Sequence, residues 1–221
     1  MTTYLPPLPV LPGEGDTYRY QPAGQNMLDL LAAEHSALSD LCARLRREPN
    51  HDDSSVLCAM MCRHLSAERQ YLYPTALKAL GAQAGPTVTA MLETDRQLLS
   101  DMDILLWSPP ASELWDEALT RTESYLREHI AGCAAKLFVP LRSRLSEAEL
   151  VRLGNRLEIA QEAAPSRPHP RWPRYAPWNK LTDALAGAVD KGRDLITGRK
   201  TFVPPHSDDR SLPVPGRVIP S

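Results

Sequence analysis

The chain has 221 residues, of which 43% are hydrophobic and 24% charged, with 25 Lys plus Arg against 27 Asp plus Glu. That balance supports a packed core and excludes wholesale disorder, and a net charge of −2 excludes the basic footprint of a general nucleic-acid binder. No run of about 18 apolar residues occurs, so no transmembrane segment is expected. The start, MTTYLPPLPVLPGEGD, has neither the basic opening nor the apolar stretch of a secretory signal. A cytoplasmic location is therefore expected, with Cys42, Cys58, Cys62 and Cys133 as free thiols.

Most of the 21 prolines fall in residues 1–23 and 165–221. Residues 24–164 are thus expected to be the folded unit, flanked by a Pro-rich N-terminal segment and a Pro-rich tail. Within the unit only helical periodicity is visible. Asn26 to Arg47 carries Leu28, Leu31, His35, Leu38 and Cys42 on one face, and Pro49 and Asn50 close it. Asp53 to Leu80 follows, with Met61, His64, Glu68 and Tyr71 on one stripe, and Gly81 and Gly85 break it. Pro86 suits the first turn of a third helix, whose stripe is Met91, Asp95, Leu98 and Met102. Ser112 is placed to cap a fourth helix over Glu113 to Arg144, with Leu126, His129 and Cys133 on one face. Ser146-Glu147-Ala148-Glu149 has the form of a capping box and opens a shorter fifth helix ending near Ala163. Four long helices with short connections predict an all-α fold, an antiparallel up-down-up-down four-helix bundle with a short fifth helix. In the tail, Leu181, Leu185, Val189 and Ile196 predict one amphipathic helix over 179–198. The "RPHPRWPRYAPW" stretch before it reads as an extended strap anchored by Trp172, Tyr175 and Trp178.

The bundle reading leaves an anomaly. His35, His64, Glu68, Asp95, His129 and Cys133 all lie on stripes otherwise made of Leu, Met and Tyr. Imidazoles and carboxylates are costly in a core unless paired or bound to metal. Each of the four helices supplies at least one, and His64-x-x-x-Glu68 stacks two donors about 6 Å apart along one helix face. A metal site between the helices is expected. Tyr71 and Tyr125 lie within a turn of Glu68 and His129 and are expected to line a small-ligand pocket or to pack as core. His51, His169 and His206 fall in loop or tail segments and are not expected to be ligands. Cys58 and Cys62 read as core.

The segments "LDLLAAEHSALSDLCARL", "RHLSAERQYLYPTAL", "ETDRQLL" and "REHIAGCAAKLFVPLRSRLSEAELVRLGNRLE" resemble successive helices of the hemerythrin-like, or HHE cation-binding, family. The His-x-x-x-Glu of the second, followed by "YLYP", is the most specific match. The tail segments "AAPSRPHP" and "NKLTDALAGAVDKGRDLITGR" resemble the tail of actinobacterial members. The resemblance implies a bundle around a non-haem di-iron centre, bridged by carboxylates and capped by histidines. It implies His35, His64 and His129 as histidine ligands and Glu68 as a bridging carboxylate. Two positions depart from the pattern. Asp95, in "ETDR", stands where a histidine is expected, and Cys133, in His129-Ile-Ala-Gly-Cys133, stands where the second bridging carboxylate is expected. Val139 is an added residue before Pro140.

Three readings of the altered set follow: an unusual two-metal site with Asp95 or Cys133 as replacement donors, a one-metal site, or a metal-free polar cluster. One or two non-haem iron ions per chain are expected, with zinc as the alternative that a thiolate donor would favour. The function expected from the resemblance is the handling of dioxygen, nitric oxide or peroxide at a degenerate iron site. The alternatives are a metal-dependent oxidase or oxygenase acting on a small molecule, and a metal-free bundle that serves as an interaction module. The expected partner is a small-molecule ligand or oxidant rather than nucleic acid, with a homodimer through the tail helix as a further expectation.

Overall fold

A computed structural model describes residues 23–164. The Pro-rich N-terminal segment up to residue 22, the strap, the tail helix expected over 179–198, His169 and His206 lie outside the described residues. Within 23–164 the chain is an all-α helical bundle with no strand. No helix among the described residues is long and apolar enough to cross a membrane.

Helix α1 spans Met27–Arg47. The Asn26 side chain caps it by accepting from the Asp29 N–H at 2.9 Å, and Arg44, Arg46 and Arg47 in its last turn suit the negative end of the dipole. Helix α2 spans His51–Ala67. His51 was expected in a loop, but it is the first residue of this helix, because Asn50 is the cap and accepts from the Asp53 N–H at 2.8 Å. Arg44 closes the α1–α2 turn with two bonds to Asp53, Nε to Oδ2 at 2.8 Å and Nη2 to Oδ1 at 2.9 Å. A π-helical turn over Glu68–Leu72 carries α2 without a break into α3, Tyr73–Leu80. Gly81 then ends the helix at φ +63°, a backbone region that suits glycine. Helix α4 spans Gly85–Trp107, with Pro86 in its first turn. Helix α5 spans Glu113–Gly132 and is capped by Ser112. A second π-helical turn, Cys133–Phe138, leads into α6, Val139–Arg144. A turn that closes on the fifth residue absorbs one residue more than an α-turn does. The capping box forms as the sequence predicts: Glu149 Nα donates to Ser146 Oγ at 3.3 Å and Ser146 Nα to Glu149 Oε2 at 2.8 Å, opening α7, Glu147–Ala163.

Helices α1 and α4 each pack against α2 and α5, and α7 lies across α1, α2 and the first π-turn. Gly154 permits the close approach of α7: a Cβ there would stand 2.1 Å from the Gln25 carbonyl oxygen. The interior holds two apolar clusters. The first contains Leu38, Leu45, Leu57, Met61, Leu98, Met102, Trp115 and Leu126. The second contains Met27, Leu31, Leu72, Tyr73, Met91, Phe138, Leu141 and Leu157. Along α1 and α4 the chain passes from the second cluster to the first, and along α2 and α5 it passes from the first to the second. His35, Asp95 and His129 fall at the crossings, and Glu68 falls where α2 gives way to the first π-turn. The polar residues therefore form a layer between two dry half-cores.

Candidate metal centre

Glu68 stands at the middle of this layer and is fully buried. Three imidazoles from three helices point Nε2 at its carboxylate: His35 at 3.7 Å and His64 at 3.4 Å from Oε1, and His129 at 3.0 Å from Oε2. One donor atom from each of His35, His64, Glu68 and His129 lies within 4.8 Å of every other. The rings meet edge to face, with centroids 4.7 Å apart for His35–His64 and 5.3 Å for His35–His129. Phe138, delivered by the second π-turn, stacks on His35 with ring planes 7° apart. His64 Nδ1 bonds Glu34 Oε2 at 2.7 Å, and Gln161 of α7 donates to the other oxygen of that carboxylate. Glu34 thereby fixes the His64 tautomer that leaves Nε2 free to donate a lone pair, the usual arrangement around a metal-ligating histidine.

The two altered positions belong to the same layer. Cys133 Sγ is buried 3.6 Å from both Glu68 Oε1 and His129 Nε2. Asp95 is fully buried, with Oδ1 3.7 Å from His129 Nδ1. All six predicted site residues are thus brought together. Tyr71 and Tyr125 are half-buried and pack against the second and first apolar clusters respectively. The tyrosine hydroxyl that reaches the layer belongs to Tyr73, which donates to Glu68 Oε2 at 3.0 Å and lies 3.2 Å from each Asp95 oxygen. Neither Tyr73 nor Glu34 is marked out by the stripes of the sequence.

The electrostatics follow from burial set against charge. Burial opposes ionisation of Glu68, but the neighbouring His129 and His64 outweigh it and hold the carboxyl well below its usual range. Burial likewise opposes the charge of His64, yet Glu68 and the bond to Glu34 push it up to about 10. His129 is raised against the pull of burial by Glu68 and Asp95. His35 is lowered, because burial wins there. Asp95 is pushed up to about 6 by burial, against the attraction of His129 and with the help of Glu68. Burial and the two carboxylates keep the Tyr73 phenol and the Cys133 thiol in their neutral forms. The layer therefore attracts positive charge. A divalent cation there would take the place of protons that these imidazoles attract.

Whether these residues fit a metal is decided by atoms that the protein leaves unsatisfied. His35 Nε2, His64 Nε2 and His129 Nδ1 are buried without a hydrogen-bond partner. Orphaned buried polar nitrogens are costly, and two of these three aim into the Glu68 cluster. The fit holds. Residues 26–139 match the hemerythrin HHE cation-binding domain. The chain belongs to the hemerythrin family. An uncharacterised hemerythrin-like protein of Schizosaccharomyces pombe is 27% identical over 140 residues, a span covering 62% of this chain and 67% of that protein. No solved structure matches. In this hemerythrin-like chain the match to the family ends at residue 139, yet α7 beyond it supplies Gln161 to the support of His64.

Proposed function

We propose that this hemerythrin-like protein holds non-haem iron through His35, His64, His129 and Glu68, and handles dioxygen or a related small oxidant such as nitric oxide or peroxide there. The observation that carries this reading is the convergence of three imidazole Nε2 atoms on one buried carboxylate, with two of them lacking any other partner. Iron bound there would supply a redox-active centre with coordination positions open to a small ligand.

The chain's own residues set what can reach it. His35, His64, Glu68 and His129 are each at most 3% exposed, so a reactant must be small enough to pass between packed side chains. Two apolar half-cores on either side keep bulk water out of the layer. Tyr73 is the hydroxyl donor nearest the carboxylates. Cys133 lies beside the cluster, 3.6 Å from Glu68 and His129, and its burial and neutral form hold back the sulfenic and sulfinic acid formation that an exposed thiolate would undergo.

The test is purification without oxygen, followed by elemental analysis and an ultraviolet–visible spectrum before and after air is admitted. Iron with a spectral change on exposure is expected. Protein that takes up iron but shows no response to oxygen, nitric oxide or peroxide would refute the oxidant role and leave a metal-binding bundle.

A further inference from the structure

The family pattern calls for two cations on either side of a bridging carboxylate. Glu68 has two sides, and they differ. Oε1 faces His35 Nε2 and His64 Nε2 at 3.7 and 3.4 Å. Oε2 faces His129 Nε2 at 3.0 Å and the Tyr73 hydroxyl at 3.0 Å. That hydroxyl is also 3.2 Å from both oxygens of Asp95. The phenolic proton thus lies where the carboxylates of Glu68 and Asp95 approach each other, which is where a second cation would have to sit to use Oε2 and Asp95 together.

We infer that the site takes one divalent cation, held by His35, His64, His129 and Glu68, and that the Tyr73 hydroxyl, bonded between Glu68 and Asp95, fills the place of a second. The inference rests on the metal-binding reading above and adds the number of ions. Geometry supports it. Donor–metal bonds of about 2.0–2.2 Å put donors on one ion up to about 4.4 Å apart, so the four donor atoms, within 4.8 Å of one another, need only a small closure to share one ion. Among the described residues the donor group is His35, His64, Glu68 and His129, with Cys133 at its edge, 3.6 Å from Glu68 and His129. Charge supports it too. One divalent ion is more than matched by the carboxylates of Glu68, Asp95 and Glu34, whereas two would exceed all three in a dry layer. Asp95 is then a neighbour of the cation rather than a ligand: it faces the Tyr73 hydroxyl at 3.2 Å and stands 3.7 Å from His129 Nδ1, beyond hydrogen-bond reach.

The experiment is a Co(II) titration of the metal-free full chain, read by elemental analysis after dialysis and by electron paramagnetic resonance. One Co(II) per chain with the signal of an isolated ion is expected. Asp95→Asn should still hold one, and His64→Ala should lose it. In a second arm, the chain loaded with iron and then oxidised should show no phenolate-to-iron absorption band that disappears in Tyr73→Phe. Two Co(II) per chain, falling to one in Asp95→Asn, would overturn the inference while leaving the metal-binding reading intact. A phenolate band would overturn it as well, by making Tyr73 a ligand. No uptake of Co(II), Fe(II) or Zn(II) by the unmodified chain would sink the metal-binding reading itself.

Discussion

The two half-cores of this bundle are built differently. Around Trp115, in the first cluster, the backbone is regular α-helix, its ends fastened by Asn50 and Ser112 caps and by the Arg44–Asp53 pair. The only polar atom buried on the large Trp115 side chain is answered, its Nε1 donating to Ser54 at 3.3 Å. Around Tyr73, in the second cluster, two helices open into π-turns that begin at Glu68 and at Cys133. Pro74 and Pro140 sit just past those turns. A proline inside a helix lacks an N–H and its ring crowds the carbonyl four residues back, and a widened turn upstream relieves both constraints. The contrast teaches where function sits in this fold. The regular half is a scaffold, and the polar layer is assembled at the border where regularity is given up.

If that division is right, substitutions on its two sides should separate binding from stability. The largest effect is expected for Glu68→Ala, which removes the carboxylate that all three imidazoles face; metal content by elemental analysis should fall to background. Leu57→Ala, in the regular half, should instead cost about 2–5 kcal/mol in chemical denaturation through the cavity it leaves, with metal per folded chain unchanged. Loss of metal in Leu57→Ala at temperatures where the chain stays folded would break the division.

Glu34→Ala tests the support behind the layer. It leaves His64 in place but frees its tautomer, and metal affinity should fall about 10–100-fold, measured by competition with a chelator of known affinity. An unchanged affinity would show that packing alone holds the ring. Asn50→Ala should have the smallest effect, about 1 kcal/mol of stability from the lost cap in the same denaturation assay, with no change in metal affinity.

The sequence made the scaffold legible because that half obeys one period. Leu38, Leu98 and Leu126 each belong to an apolar stripe of helical spacing on their own helix, so the helices and their turns could be placed to within a few residues. His35, His64, Glu68 and His129 were legible for the same reason, as polar interruptions of an apolar stripe. Tyr73 was not. It lies five residues after Glu68, which on an α-helix is about 140° around the axis, so the period points to Tyr71 instead. The π-turn closes on the fifth residue, with the Tyr73 N–H bonded to the Glu68 carbonyl, and carries the Tyr73 hydroxyl back to the Glu68 side chain. A helix-breaking Pro74 six residues after a candidate ligand was the available signal. Glu34 was missed because it lies beside the stripe rather than on it, and its partner Gln161 is 127 residues away.

That last distance has a consequence for the order of events during synthesis. The donors leave the ribosome in sequence, His35 first and His129 last, but Gln161, which holds the carboxylate behind His64, follows a full helix later. Before Gln161 emerges, Glu34 faces His64 without the amide that steadies its other oxygen. The layer gains its finished shape only when α7 folds down across α1 and α2, with Gly154 letting it settle against the entry to α1. Among the described residues α7 is the last helix made, and through Gln161 and Glu34 it completes the support behind His64, a donor made well before it.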